Sequence, residues 1–512
     1  MTAPRSKDYF AAIDLGSNSF HMLLVRMVAG RVQVVSKTKR KVRLAAGLCS
    51  EGRLDQAAKA RALECLRIFA NRVQDIDSTQ IRAVGTATLR KVQHDHEFLA
   101  QCQQALGHRI EVISGYEEAA TIYQGIAHTT AFQQHMLVMD IGGASTEVVL
   151  GQGYTPRVLN SLDMGCVSWY QRFFATQHGQ ITHANTQAAI NAARSLCDSV
   201  RHDYPDARRA LVLGASGTFK ALQEISAHQG LSAHFTVEWL HSLLEQCIVS
   251  GNHQSLAIAG LKASRRTVFV SGLCILLGMC ESLGLRQLQP ASGALREGVV
   301  YGLLAQQQSL SLHPDLQQRT LDTLAATYHL DTAQAQRVYQ LSLNLHAQLQ
   351  ASWRFPADAD ELIRAIAYLH ELGLSVAYSQ ASAHAAYMVQ HLDMPGFSAQ
   401  SRAKIAHLLT ITAGIVDEGS ELNDTAVRAP TSSLAMRHLE RILRLAMLLC
   451  QRRRDDIMPA YRISAAQEHL RIEAPLQFWE DNPFLLSLLQ SEQAQLNQTE
   501  QLTVAPLASQ SK

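Results

Sequence analysis

Two short stretches of this sequence set an acid, a glycine and hydroxyl residues at the same spacing behind an apolar run. Ala12-Ile13 leads into Asp14-Leu15-Gly16-Ser17-Asn18-Ser19, and Val138-Met139 leads into Asp140-Ile141-Gly142-Gly143-Ala144-Ser145, with Thr146 next. Glycine lets a backbone come close to a phosphate and turn its N–H groups toward it, while Ser and Thr hydroxyls add donors. An aspartate at a strand end can hold Mg2+ or its waters, which offsets repulsion between phosphate and carboxylate. One Asp-x-Gly is common in ordinary turns. Two matched copies behind apolar strands point to a phosphate site.

Other residues are open to two readings. Glu117 and Glu118 follow Ile113-Ser114-Gly115-Tyr116. An acidic pair at a helix start serves the helix dipole, yet beside a phosphate cleft a carboxylate is also the natural base for an attacking water. Glu147 is either a polar residue on a strand's solvent face or a metal or water ligand across from Asp140. Arg90 closes Gly85-Thr86-Ala87-Thr88-Leu89-Arg90, and Lys39-Arg40-Lys41-Val42-Arg43 is a dense basic run. Such residues are solvated faces in most proteins; near a cleft for a multiply charged anion, Arg90, Arg40, Lys41 and Arg43 would clamp or steer phosphates.

The elements that must position these groups follow from periodicity. Phe10–Ile13, His21–Val28 and Arg31–Val35 read as strands, with a turn at Ala29-Gly30 between the last two. Leu63, Leu66, Phe69, Ala70 and Val73 share one helix face, and strands at Ile81–Val84 and Ile110–Ile113 alternate with helices. Glu147–Leu150 is a β-rich return after the second loop. A repeat this long is a duplicated domain, and two halves with one loop each make an actin-like cleft. Ala210–Leu213 runs into Gly214-Ala215-Ser216-Gly217-Thr218, and Leu288–Leu295 into Arg296-Glu297-Gly298; both are small-residue turns suited to a phosphate cleft. From about Ser309 glycine becomes rare and helical patterns dominate, with Leu321, Leu324, Leu362 and Ile366 among the apolar positions. Tyr461–Ile472 alternates like a small β element, and Glu492–Lys512, rich in Gln and Ser, reads as poorly packed.

Composition bounds the rest. At 512 residues the chain calls for three or four domains of about 150 residues each. The expected divisions are 1–126 and 127–308 for the two actin-like halves, 309–455 for a helical domain and 456–512 for a small terminal segment. A net charge of +2 argues against coating a nucleic-acid polymer. Nine cysteines without CxxC pairs read as reduced core residues of a cytoplasmic protein. The polar start lacks the apolar stretch of a signal peptide, and the apolar run Val268–Cys280 reads as too short to span a bilayer.

On these residues the sequence resembles the exopolyphosphatase/guanosine pentaphosphatase family from Asp8 to about Pro483. Ala12–Met22, Ile113–Gly125, Val138–Val148, Met164–Val167, Gly214–Thr218, Ser292–Gly298 and Leu392–Phe397 carry the resemblance. It implies an α/β protein of duplicated actin-like (ASKHA, ribonuclease H-like) domains, a helical HD-like domain and a small α+β segment. It further implies Glu118 as catalytic base, Asp140, Gly142 and Glu147 handling Mg2+ and phosphate, and the Asp14 loop with Arg90 binding the phosphate chain. Gly143, Ser145, Thr146, Gly214, Ser216 and Gly217 complete the phosphate-binding candidates. Arg40–Gly47, Thr86–Thr88 and Gly142–Ser145 look more like the family's guanosine pentaphosphate phosphatases, which favours conversion of pppGpp to ppGpp; inorganic polyphosphate is the alternative substrate. His370-Glu371 stands where an HD-type phosphohydrolase has His-Asp, so a second metal site is not expected there, and a homodimer is. An actin-fold kinase would need a separate acceptor motif, and an alarmone sensor would not need Glu118, Asp140 and Glu147 together.

Overall fold

The computed structural model describes residues 9–28, 31–49, 52–130, 135–231, 233–306, 315–410, 433–455, 461–496 and 500–506. The chain divides into two compact units, Met1–Leu316 and Gln317–Lys512. The expected turn at Ala29-Gly30 and the divides near residues 309 and 456 lie outside the described residues.

The first unit holds two sheets built on one plan. Strands β1 (Tyr9–Leu15), β2 (Ser19–Val28), β3 (Arg31–Lys41), β4 (Ile81–Gly85) and β5 (Ile110–Val112) are ordered β3-β2-β1-β4-β5. The second set is β6 (His135–Ile141), β7 (Thr146–Gln152), β8 (Thr155–Leu162), β9 (Leu211–Ala215), β10 (Phe235–Thr236) and β11 (Gln287–Pro290), ordered β10-β11-β9-β6-β7-β8. In each, three antiparallel strands meet two parallel ones through the strand that carries the Asp-x-Gly loop. Both β2–β3 and β7–β8 even carry a bulge, after Leu24 and Leu150. This is the duplicated ribonuclease H-like arrangement of actin-like proteins.

Helices of the first unit are α1 (Gln56–Val73), α2 (Ala87–Lys91), α3 (His96–Leu106), α4 (Gly115–Ala127), α5 (Cys166–Phe173), α6 (His183–Asp198), α7 (Ser216–His228), α8 (Val237–Ser250), α9 (Arg266–Leu283) and α10 (Leu295–Gln306). The buried face of α1 is Ala58, Ala62, Cys65, Leu66, Phe69 and Val73, shifted from the expected stripe because small residues seat the helix on the sheet. Helices α4 and α10 cross backbone to backbone: a side chain on Gly298 would land on the Thr121 carbonyl, and one on Gly125 on the Ala294 carbonyl. That close approach fixes the body of α4, at Thr121 and Gly125, against the head of α10.

The apolar run around Val268 is longer than its sequence suggested. The helical stretch Ala263–Leu283 has the length and composition to cross a membrane, but 78% of its most apolar window is buried. Phe269, Leu273, Leu276 and Met279 lie in the core of the second half, so that apolar surface is already covered by protein.

The second unit is mainly helical. Its helices Thr332–Leu349, Ala359–Leu369, Ala381–His391, Ala399–Thr410 and Leu434–Leu449 enclose Leu321, Leu324, Leu362 and Ile366. Strands β12 (Arg462–Ala466) and β13 (His469–Ala474) form the hairpin that alternation implied. The tail corrects its expectation: Gln501–Pro506 forms β14, parallel to β13, with Leu502 buried, because alternate apolar residues outweigh the polar bulk around them. Arg453 binds Asp331 at 2.9 Å and pairs with Glu371, while Asp455 pairs with Arg337 at 2.6 Å. His370 is buried against the Ala367 carbonyl, and Glu371 is taken by Arg453. Among the described residues, no group of three His, Cys, Asp or Glu side chains is placed to hold a metal.

Candidate active site

Between the two sheets of the first unit lies a cleft of about 720 Å3, within the size range of nucleotide-sized ligand sites. Both Asp-x-Gly loops line it, and they are braced alike. The amides of Arg43 and Ala45 donate to the Asn18 and Ser17 carbonyls, each at 2.9 Å; those of Cys166 and Val167 donate to the Gly142 and Gly143 carbonyls, each at 2.9 Å. In each half, then, the chain returning from the third strand holds the loop in place. Glycine is needed for room: a Cβ at Gly142 would sit 2.9 Å from the Ser145 carbonyl, and one at Gly16 2.9 Å from that of Ser19.

The acidic wall gathers Asp14, Glu118, Asp140 and Glu147. Asp140 and Glu147 face each other across β6 and β7. Ser216, held in the left-handed region at φ 67°, donates its hydroxyl to Asp140 Oδ1. Glu118 sits in the first turn of α4, whose Ser114 cap accepts from the Glu117 amide at 3.1 Å. Burial raises Asp14 to about 7, opposed by Arg296. Burial likewise lifts Asp140 to about 6 and Glu118 to about 7, the latter against its Arg90 ion pair. Glu147 is pushed well above the carboxylate range by burial and then by the charges of Glu118 and Asp140.

These shifts set a sign for stability. Four acids that bind protons more tightly folded than unfolded favour the fold below about pH 4; for Asp14, Glu118 and Asp140 that contribution is lost as pH rises through about 6 to 7, and for Glu147, raised well above its ordinary value, it is lost in the same direction. A divalent cation at this wall would restore it. We expect the thermal midpoint of the metal-free protein to fall between about pH 5 and about pH 8, and Mg2+ to raise it more at the higher pH. Glu147→Gln should flatten the fall; an equally steep fall in that variant would remove Glu147 from the cause.

The cationic wall is formed by Lys37, Lys39, Lys220, Arg265 and Arg296 around His21, and it meets the acids: Arg296 opposes the shifts of Asp14 and Asp140, and Lys39 shares a strand row with Asp14 through His21. His21 is held down to about 2 by burial and by Arg296, Lys39, Arg265 and Lys220, so it is neutral. Lys39 keeps much of its surface open, yet partial burial and Arg265, Arg296 and Lys220 lower it to about 8. Ser19 Oγ and His21 Nδ1 are buried without a hydrogen-bond partner among the described residues.

Most residues singled out in the sequence converge here: Asp14, Gly16, Ser17, Asn18, Ser19, Glu118, Asp140, Gly142, Gly143, Ser145, Glu147, Gly214, Ser216 and Gly217 all line the cleft. Five stand elsewhere. Arg90 lies behind Glu118, where its Nη1 donates to Glu118 Oε2 at 2.6 Å and to the Ile113 carbonyl at 3.0 Å. Thr146 is fully buried, donating to the Met164 carbonyl at 2.6 Å. Arg40 is near Cys65 of α1, on the far face of β3. Lys41 reaches the Ser264 carbonyl at 3.4 Å, and Arg43 braces the first loop through its backbone. The reason is that β3 runs through Lys41 instead of ending at Val35, so alternate residues of the basic run face opposite ways. Sequence reasoning quoted Lys39 within the basic run but took Arg40, Lys41 and Arg43 as the steering residues, and it missed Lys37, Lys220 and Arg265. Strand alternation from His21 would have found Lys39; nothing local marks Arg265.

Duplicated sheets with matched loops facing a common cleft define an actin-like α/β protein. Residues 23–307 match the Ppx/GppA phosphatase family model, and residues 316–493 match that of Ppx/GppA phosphatase, domain III. The chain is 43% identical over 480 residues to a guanosine-5'-triphosphate,3'-diphosphate pyrophosphatase of Aeromonas hydrophila, covering 93% of this chain and 94% of the relative. It is also 43% identical over 477 residues to the protein of that name in Aeromonas salmonicida, with the same coverage of 93% and 94%. A crystal structure of an exopolyphosphatase from Cytophaga hutchinsonii shares the fold, with TM-score 0.53 and 24% identity over 59% of this chain and 100% of that one. The chain belongs to the Ppx/GppA phosphatase family.

Proposed function

We propose that the protein hydrolyses the terminal phosphoanhydride of guanosine pentaphosphate, turning pppGpp and water into ppGpp and phosphate. One observation carries the chemistry: a single cleft lined by the carboxylates of Asp14, Glu118, Asp140 and Glu147 and by five cationic side chains. A polyanion would lie along Lys37, Lys39, Lys220, Arg265 and Arg296 with its terminal phosphoryl group at the carboxylates. The two Aeromonas relatives, alike over nearly their whole length, support the nucleotide over polyphosphate.

Glu118 takes the proton of the attacking water, the new P–O bond forms, and the bond to the departing diphosphate oxygen breaks. Arg90 keeps the Glu118 carboxylate aimed. The amides and hydroxyls of the Asp14 and Asp140 loops hold the phosphates, with the heads of α7 and α10 adding favourable dipole. Asp140 and Glu147 would hold Mg2+. Mg2+ sites built on one or two carboxylates and completed by substrate phosphates need no cage of three side chains, and a bound cation would offset the burial that raises Asp140 and the burial and repulsion that raise Glu147. When bound, the ion would neutralise charge on the phosphates. The reading places the protein in the cytoplasm, in keeping with nine cysteines outside disulfides, as a homodimer with residues 1–126 and 127–308 forming the jaws of the cleft.

The test is phosphate release with Mg2+, comparing kcat/KM for pppGpp and long-chain polyphosphate. We expect a clear preference for pppGpp, with solvent oxygen from labelled water in the phosphate. A preference for polyphosphate would overturn the substrate, and transfer to an acceptor without solvent oxygen would overturn hydrolysis.

A further inference from the structure

Strand register sets two equivalent rows of side chains on the walls of the cleft. β1, β2 and β3 bring Asp14, His21 and Lys39 side by side; β6, β7 and β8 bring Asp140, Glu147 and Ser161 side by side. With the same strand order in both sheets, Ser161 stands where Lys39 stands. Its Oγ donates to Glu147 Oε1 at 2.8 Å. Glu147 is 1% exposed, so protein donors such as this one take the place of water around its carboxylate.

The same serine touches the other half. A Cβ built on Gly115 would lie 2.6 Å from Ser161 Cβ and 2.8 Å from its Oγ. Gly115 opens α4, and Glu118 lies one turn further on the same helix. Gly115 is not in the left-handed region, so what its position demands is space. Further along, α4 is tied to the β7–β8 turn: Tyr123 donates to the Gly153 carbonyl at 3.0 Å and Gln124 to that of Tyr154 at 2.6 Å. With its body anchored, the head of α4 comes to rest on Ser161.

We propose that Ser161 is a positioning residue spanning the two walls: its hydroxyl holds the Glu147 carboxylate, and its contact with Gly115 sets how closely the Glu118 end of α4 approaches that carboxylate. The inference rests on the roles given above to Glu118 and Glu147. A missing hydroxyl frees Glu147, and added bulk at Gly115 backs Glu118 away. Either change acts on turnover more than on substrate binding, because the cationic wall is untouched.

The experiment is a double-mutant cycle of Gly115→Ala and Ser161→Gly, read by kcat and KM for pppGpp with Mg2+ and by thermal midpoint. Each single change should lower kcat about tenfold with KM within about twofold, since a hydrogen bond to a charged group or a comparable misplacement is at stake. In the double variant the alanine methyl gains room, so Gly115→Ala should cost little further in kcat or midpoint. Ser161→Ala, which keeps the contact and loses only the hydroxyl, should lower kcat with a near-normal midpoint. Additive losses in the cycle, or wild-type kcat in Ser161→Ala, would overturn the proposal. An inactive wild type would instead sink the functional reading, and additivity of the midpoints would still decide the contact.

Discussion

Glu118→Gln should reduce kcat for phosphate release by about two to four orders of magnitude while leaving KM close to that of the wild type. Glutamine has the shape of glutamate, and its Oε1 can still accept the 2.6 Å bond from Arg90, so the head of α4 has no reason to move. What it cannot do is take a proton from water. The pH dependence gives a second readout. Glu118 lies at about 7 because burial outweighs its ion pair, and a base works only when ionised. The wild-type kcat/KM, which reports the free enzyme, should therefore fall as pH drops through about 7, and the residual rate of the variant should lose that acid limb. Near-normal turnover in Glu118→Gln would sink the assignment of the base. An acid limb that survives in the variant would move the titrating group to Asp14, Asp140 or Glu147, which share the wall.

The loops that hold phosphate were legible because their geometry is local. A strand ending in Asp-x-Gly-x-x-Ser already specifies a turn in which a side chain on Gly16 or Gly142 would meet a carbonyl, and the repeat declared two of them. Glu118 was legible for a similar reason: Ser114, two residues after a strand, caps the helix that carries it. Arg90 was recognised as a site residue, but its partner was out of reach of sequence. Whether an arginine meets a phosphate or a carboxylate depends on how α2 packs beside α4, which no short-range pattern encodes. Arg265 is harder still. It precedes α9 and meets the β9–α7 turn, where a side chain on Gly217 would strike its guanidinium, and nothing in the neighbourhood of either residue announces the other. Strand β14 shows the opposite limit: a Gln-rich composition hid three alternating positions, Leu502, Val504 and Pro506, that pair along β13.

The cationic wall yields the second large effect. Arg265→Ala combined with Lys220→Ala should raise KM for pppGpp by about a hundredfold or more, because each removes a charged donor worth about ten- to a hundredfold to a phosphate held away from bulk water. The kcat should change less, since neither residue faces the carboxylates. Salt should inhibit the double variant less steeply than the wild type, as fewer charges attract the substrate. Arg40→Ala is the control that separates wall from run. Arg40 adjoins Lys39 in sequence, yet strand alternation turns it to the α1 side of the sheet, so its loss should change KM by less than about twofold. Equal effects from Arg40 and from the Arg265–Lys220 pair would mean that net charge alone attracts the substrate. A KM that rises only in the pair would mean that the second sheet's helices carry the substrate's distal phosphates, with Lys39 facing them from the first.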